Sequence, residues 1–224
     1  RPEPVVGDQN VTVCSDDSLA ISFDASSSIA AVTYNVTALD LAGLSVSGGN
    51  AAVADSLFAI NLSNDQYLND TTTSVTVTYD VYPVSSFGCI GDMFNVFATI
   101  NPEPVGNNST DTICSNYTFS YDPQDNIDAV NSVSSTFTWE ITSVTGTVSG
   151  IALGDTGFGL VTETIENISS NPAIVEFTVT PTSDPAGCQG TPFTITLTVN
   201  PQPVGVNAAD TTCSSVALAY DTQN

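Results

Sequence analysis

The amino-acid sequence predicts an all-β chain of antiparallel sandwiches set end to end, and three observations lead there. Apolar and polar residues alternate with a period of two, Gly/Pro/Asn/Asp/Ser turns interrupt the alternation at short intervals, and the pattern recurs after about one hundred residues.

The recurrence is specific. Pro2-Glu3-Pro4-Val5 returns as Pro102-Glu103-Pro104-Val105 and as Pro201-Gln202-Pro203-Val204. Cys14-Ser15 returns as Cys114-Ser115 and Cys213-Ser214, and Gly88-Cys89 with Gly91 returns as Gly187-Cys188 with Gly190. These offsets divide the chain into repeats at residues 1–101 and 102–200, with 201–224 opening a third. Residues 203–224 are expected to start a third sandwich, with the native chain continuing past Asn224.

Within a repeat the strands read in pairs. Phe94, Val96, Ala98 and Ile100 answer Phe193, Ile195, Leu197 and Val199; Val75, Val77, Tyr79 and Val81 answer Ala173, Val175, Phe177 and Val179. Leu19-Ile21-Phe23 corresponds to Phe119-Tyr121 and Leu218-Tyr220, and Thr33-Tyr34-Asn35-Val36 to Thr138-Trp139-Glu140-Ile141. No segment carries an amphipathic helical stripe with caps. Six or seven such strands in each repeat imply an immunoglobulin-like sandwich, with Trp139 and Tyr34 as large core aromatics of a middle strand.

Composition narrows the function. Arg1 is the only basic residue, histidine is absent, and 24 acidic residues give a net charge of −23. Such a field repels nucleic acid and anionic lipid, and leaves divalent cations as the natural counter-species. An apolar fraction of 41% is enough for packed cores. No apolar run approaches the roughly 20 residues that span a bilayer, so direct membrane insertion is not expected. No basic start followed by an apolar signal-peptide core occurs in these residues, so the targeting signals of a secreted protein are expected to lie outside them. Without histidine there is no Ser-His-Asp or Cys-His constellation and no histidine-zinc site, and no phosphate-binding loop is present. Paired carboxylates remain compatible with glycoside hydrolysis by residue type alone, but the expectation is a non-enzyme.

The cysteines are read through the period. Cys14 with Cys89, and Cys114 with Cys188, are expected to form one disulfide within each repeat, leaving Cys213 for a partner beyond the chain end. In immunoglobulin lettering the first cysteine precedes strand B and the second follows strand F, so the bridge is expected to tie loops at one end of the sandwich. Disulfides imply an oxidising, extracellular setting. Between repeats, alternating prolines in Asn101-Pro102-Glu103-Pro104 and Asn200-Pro201-Gln202-Pro203 favour an extended path, and so a stiff rod. Asp122, Asp125 and Asp128 are candidate calcium ligands on a loop after a strand, a solvated acidic loop being the alternative; no other cofactor is expected.

The string from Phe177-Thr178-Val179-Thr180-Pro181-Thr182-Ser183 through Gly187-Cys188-Gln189-Gly190-Thr191-Pro192-Phe193 to Val199-Asn200-Pro201 resembles the PKD-like tandem repeats of Bacteroidota surface proteins, and Asp111-Thr112-Ile113-Cys114-Ser115 resembles the opening of such a repeat. The resemblance implies large cell-surface adhesins or filaments exported by the type IX secretion system, without catalytic residues. It also implies O-linked glycans where Asp is followed by Ser or Thr and then a small apolar residue or Thr, at Ser18, Ser56, Thr71, Thr112 and Thr211, the last two at matching places in successive repeats. Asn-x-Ser/Thr triplets at Asn10, Asn35, Asn61 and Asn116 matter only in a eukaryotic host.

The leading function is therefore a structural segment of an extracellular adhesin or filament shaft, partnered by neighbouring repeats, copies of itself or surface glycans. A carbohydrate-binding module and a spacer within a large secreted enzyme are the alternatives. A sugar platform calls for a row of exposed aromatics, and the chain has one tryptophan, on a core-like strand.

Overall fold

The computed structural model describes residues 3–23, 29–205, 211 and 213–217. The first sandwich comprises β1 (Gln9–Cys14), β2 (Ala31–Asp40), β3 (Ser45–Gly48), β4 (Ala54–Leu57), helix α1 (Ala59–Ser63), β5 (Gln66–Leu68), β6 (Val75–Ser85) and β7 (Phe94–Asn101). The second comprises β8 (Ser109–Cys114), β9 (Thr118–Tyr121), helix α2 (Pro123–Asp128), β10 (Ser135–Thr145), β11 (Val148–Ser149), β12 (Thr156–Phe158), β13 (Val161–Thr164), β14 (Glu166–Asn167), β15 (Ala173–Ser183) and β16 (Phe193–Asn200).

Each sandwich has one five-stranded sheet, β1-β7-β6-β2-β4 in the first and β12-β10-β15-β16-β8 in the second, faced by short two-stranded sheets. The expected alternation is visible in the burial of β6, β7, β15 and β16, where every second side chain is buried. One face of each large sheet meets its own core. Val77, Tyr79, Val96 and Ile100 lie in the first, and Trp139, Phe177, Ile195 and Leu197 in the second. Trp139 stands edge-on to Phe177 with ring centroids 5.9 Å apart, and Tyr34 likewise to Phe94 at 6.3 Å.

Three features depart from the sequence reading. The segment at Leu19-Ile21-Phe23 buries Leu19 and Ile21 but forms no strand; a single bridge, Ser18 to Gln66, ties it to β5. Two short helices occur where none was expected. They escape detection because five or six residues are too few to display a helical stripe, and tertiary packing of Leu62 and of Ile127 fixes them. Lastly, β1 and β8 are strands in their own right, each parallel to the last strand of its sandwich. Residues Leu218-Tyr220 of the expected third sandwich lie outside the described residues, and those described from 203 to 217 form no strand.

A buried asparagine organises one corner of each sandwich. Asn69 Nδ2 donates to the carbonyls of Ile100 (2.7 Å) and Thr73 (3.0 Å), its Oδ1 accepts from the amide and hydroxyl of Thr71, and its amide donates to Ser15 Oγ (2.9 Å). Asn167 repeats the arrangement with Val199, Asn171, Ser169 and Ser115. Ser15, Asn69, Ser115 and Asn167 are all buried, so these bonds form where water cannot replace them. The corner joins the β1–core turn, the loop before β6 and the end of β7, the three segments that meet where the chain leaves the sandwich. Asn69→Ala should therefore lower stability by about 2–4 kcal/mol, because the Ile100 and Thr73 carbonyls and the Thr71 amide and hydroxyl lose their side-chain partner. Urea unfolding of the variant checks this, and a loss below about 0.5 kcal/mol would remove the corner's structural role.

Candidate functional site: the junction between the sandwiches

Parallel pairing determines where the cysteines lie. In β1, Gln9 faces Val96 and Cys14 faces Asn101, so Cys14 sits at the pole from which β7 exits into the linker. Strand β6 runs antiparallel to β7 and ends at Ser85, at the opposite pole, where Cys89 folds back onto Ser85. Eleven residues of strand separate these levels, roughly 30 Å at about 3.3 Å per residue, against a limit of about 7 Å between the Cα atoms of a bridged pair. The expected Cys14–Cys89 and Cys114–Cys188 bonds are thus excluded by topology. Cys14 is bonded instead to Cys188, across the junction, with Cα atoms 5.6 Å apart. Cys89 is half-buried and free, and Cys114 and Cys213 are exposed and free.

The bond brings the exit pole of the first sandwich against the entry pole of the second. Cys188 is fully buried in the β15–β16 hairpin, where its amide donates to Ser183 Oγ (2.9 Å) and its carbonyl accepts from the Ser183 amide (2.8 Å). Thr72, Thr73 and Ser74 of the first sandwich and Val133, Ser134 and the Ser183–Ala186 turn of the second line a groove beside Pro102. The linker is held on the second sandwich. Pro102 and Pro104 are buried, and Asn131 accepts from the Val105 amide (3.1 Å) and donates to the Glu103 carbonyl (2.7 Å). At Gly190 any Cβ would collide with the Pro104 carbonyl, so glycine is required for this close approach.

Glu103 is the electrostatic weak point. Its burial raises its carboxyl above the usual range, and the nearby carboxylates of Asp16 and Asp17 add to the rise. At the next linker Gln202 holds the matching place and donates to the Ser115 carbonyl at 2.6 Å, a bond an ionised glutamate cannot make.

Elsewhere the two interiors diverge. In the first, Asp65 is buried: Oδ1 accepts from the amides of Asn50 (2.9 Å) and Ala51 (2.8 Å), and Oδ2 accepts from the Tyr79 hydroxyl (2.7 Å), which also pairs with the Tyr67 hydroxyl. Burial pushes the Tyr67 phenol up to about 12 and the Tyr79 phenol further in the same direction. In the second, Glu163, Ile165 and Phe177 stand at those places. Burial, then the Asp155 charge, raises Glu163.

The remaining sequence candidates are scattered. Asp122 caps α2, accepting from the Gln124 amide (2.9 Å), Asp125 lies in the first turn, and Asp128 accepts from the Gln124 side chain (2.7 Å). These carboxylates lie on and before a helix, not on the expected loop. Among the described residues no three acidic or cysteine side chains come together as a metal-binding group. Ser18, Ser56, Thr71, Thr112 and Thr211 are all exposed. The Ser18 hydroxyl accepts from Gln66, and the Thr71 hydroxyl is engaged by the Asn69 corner, while Thr112 lies on the edge strand β8. The exposed aromatics Phe58, Phe87, Tyr117 and Phe158 sit on different elements. The asparagine corner was missed in the sequence, although Asn69 and Asn167 recur at matching places in the two repeats; nothing in the sequence marks the Asp65 cluster.

Two substitutions test this reading. Asp122→Ala should cost about 1 kcal/mol through loss of the helix cap, read from urea unfolding. Glu103 has a raised folded-state value, so its favourable contribution is complete below the unfolded value and is lost as pH rises through the folded one. Glu103→Gln should therefore raise the Tm by about 1–2 °C at pH 7 and have no such effect near pH 4. An equal shift at both pH values would contradict the electrostatic cause.

The search of curated proteins returned no match. Among solved structures, the extracellular cadherin domains 3–6 of protocadherin gamma B2 align over 90% of this chain with 15% identity and a TM-score of 0.32, and the chain spans about half (52%) of that structure. The fibronectin(III)-like modules of Clostridium thermocellum CbhA align over 92% of this chain and 96% of their own, with 10% identity and a TM-score of 0.26. Human mucin-like protocadherin EC1-2 aligns over 88% and 98%, with 12% identity and a TM-score of 0.28. The PKD-like domain family matches residues 11–104 and again residues 111–203. With two copies covering most of its length, the chain belongs to the PKD-like domain family.

Proposed function

We propose that this chain is a non-catalytic structural segment of a long extracellular adhesin or filament shaft, whose work is to carry tension between what lies at either end. The observation that supports this most is the bond from Cys14 to Cys188, which joins one PKD-like domain to the next outside the peptide backbone. The chain enters each sandwich at one pole through β1 or β8 and leaves at the other through β7 or β16, so further repeats extend the array along one line. No helix among the described residues is long and apolar enough to cross a membrane. Disulfide formation fits an oxidising compartment, in keeping with a surface location. O-linked glycans at the exposed Thr112 and Thr211 belong to this proposal, as an outer coat along the shaft.

Tension applied at the ends passes through the bond, leaving residues 15–187 shielded. Pulling single molecules by their termini should give an additional extension of about 600 Å on reduction, the contour of the 174 residues bridged. Equal extensions with and without reductant would sink the mechanical reading.

A further inference from the structure

The three cysteines left free are not equivalent to ordinary surface thiols, because two of them occupy the geometry of the bonded pair. Cys114 ends β8 opposite Asn200 just as Cys14 ends β1 opposite Asn101. The following turns match: the Ser115 amide donates to the Asn200 carbonyl at 2.8 Å and the Ser15 amide to that of Asn101 at 2.9 Å. The amides of Tyr117 and Asp17 close onto the carbonyls of Cys114 and Cys14 at 3.2 Å each. At the other pole, Cys89 copies Cys188. Its carbonyl accepts from the Ser85 amide (3.0 Å), its amide donates to Ser85 Oγ (3.2 Å), and the Gly91 amide donates to the Pro83 carbonyl (2.9 Å). The corresponding bonds around Cys188 run 2.8, 2.9 and 3.0 Å. Gly88 and Gly187 share a left-handed backbone, with φ of 74° and 77°. Gly91 packs on the Pro4 carbonyl as Gly190 packs on that of Pro104. At the next linker Gln202 binds the Ser115 carbonyl at 2.6 Å, which ties that linker to the turn following Cys114.

We propose that Cys114 and Cys89 are the two half-sites of further inter-domain disulfides of the same kind. Cys114 takes the hairpin cysteine of a PKD-like domain seated in line below the second domain. Cys89 takes the strand-end cysteine of one seated above the first. Every domain of such an array is then bonded to both neighbours, each bond skipping the domain's own second cysteine. Cys213, in the place of Cys14 and Cys114, is the half-site of the next junction. In each bond two thiols give up two protons and two electrons to a disulfide oxidant such as oxidised glutathione, which leaves as two reduced molecules.

The proposal rests on the structural reading above, and one experiment separates the two. A second copy of residues 102–200 is inserted between Asn200 and Pro201 of the full chain, which is then folded in a glutathione redox buffer, alkylated and mapped without reduction. The expected map has Cys114 bonded to the hairpin cysteine of the inserted copy at an occupancy equal to that of Cys14–Cys188. Cys89, with no domain above it, is alkylated. Alkylation of Cys114 beside a closed Cys14–Cys188 bond overturns this inference alone, as does a Cys114–Cys89 bond between two molecules. An open Cys14–Cys188 bond in the folded protein overturns the structural reading as well. Inserting a second copy of residues 1–101 before Pro102 tests the other half-site: Cys89 of the second copy should close onto Cys14 of the first, and its alkylation would overturn that half.

Discussion

Six residue pairs in parallel register, from Gln9 with Val96 to Cys14 with Asn101, decide how the rest of this molecule is put together. An antiparallel first strand would carry Cys14 to the pole where Cys89 lies and allow a bridge within one domain. The parallel strand carries it to the exit pole, beside the linker and within reach of the following domain. The same register, repeated between β8 and β16, gives the second domain identical poles. The Ser15–Asn69 and Ser115–Asn167 corners lock that pole by hydrogen-bonding the end of the last strand to the turn after the cysteine.

Around this fixed exterior the two interiors are free to differ. A buried Asp–Tyr–Tyr group in the first domain stands where the second has a half-buried glutamate, an isoleucine and a phenylalanine. The polar version is tolerated because its carboxylate accepts from two backbone amides and a phenol, and among the described residues no buried side-chain nitrogen or oxygen lacks a partner. What is held constant lies at the poles, where domain meets domain.

The fold was legible in the sequence because half-buried strands advertise themselves by alternation, as in Val75 to Val81 and Phe94 to Ile100. The disulfide was not, since β1 is a six-residue edge strand without full burial at any position. Its Thr and Val residues do not reveal whether it runs parallel or antiparallel to its neighbour, and the partner of Cys14 depends on that alone. Periodicity identified the equivalent cysteines correctly but could not tell a bond within a repeat from one shifted by a repeat, as both have the same period. For α2, Asp122-Pro123 is a cap followed by a proline in the first turn, a helix start written in two residues and outweighed by the surrounding alternation. The same carboxylates read as calcium ligands are engaged in that helix.

The bond between Cys14 and Cys188 has a consequence for damage as well as for force. Proteases cut at exposed loop tips, such as those around Phe87 and Leu153. A backbone nick anywhere from residue 15 to residue 187 falls inside a closed covalent ring, so both fragments stay attached to one body. The chain would lose a peptide bond and keep its continuity.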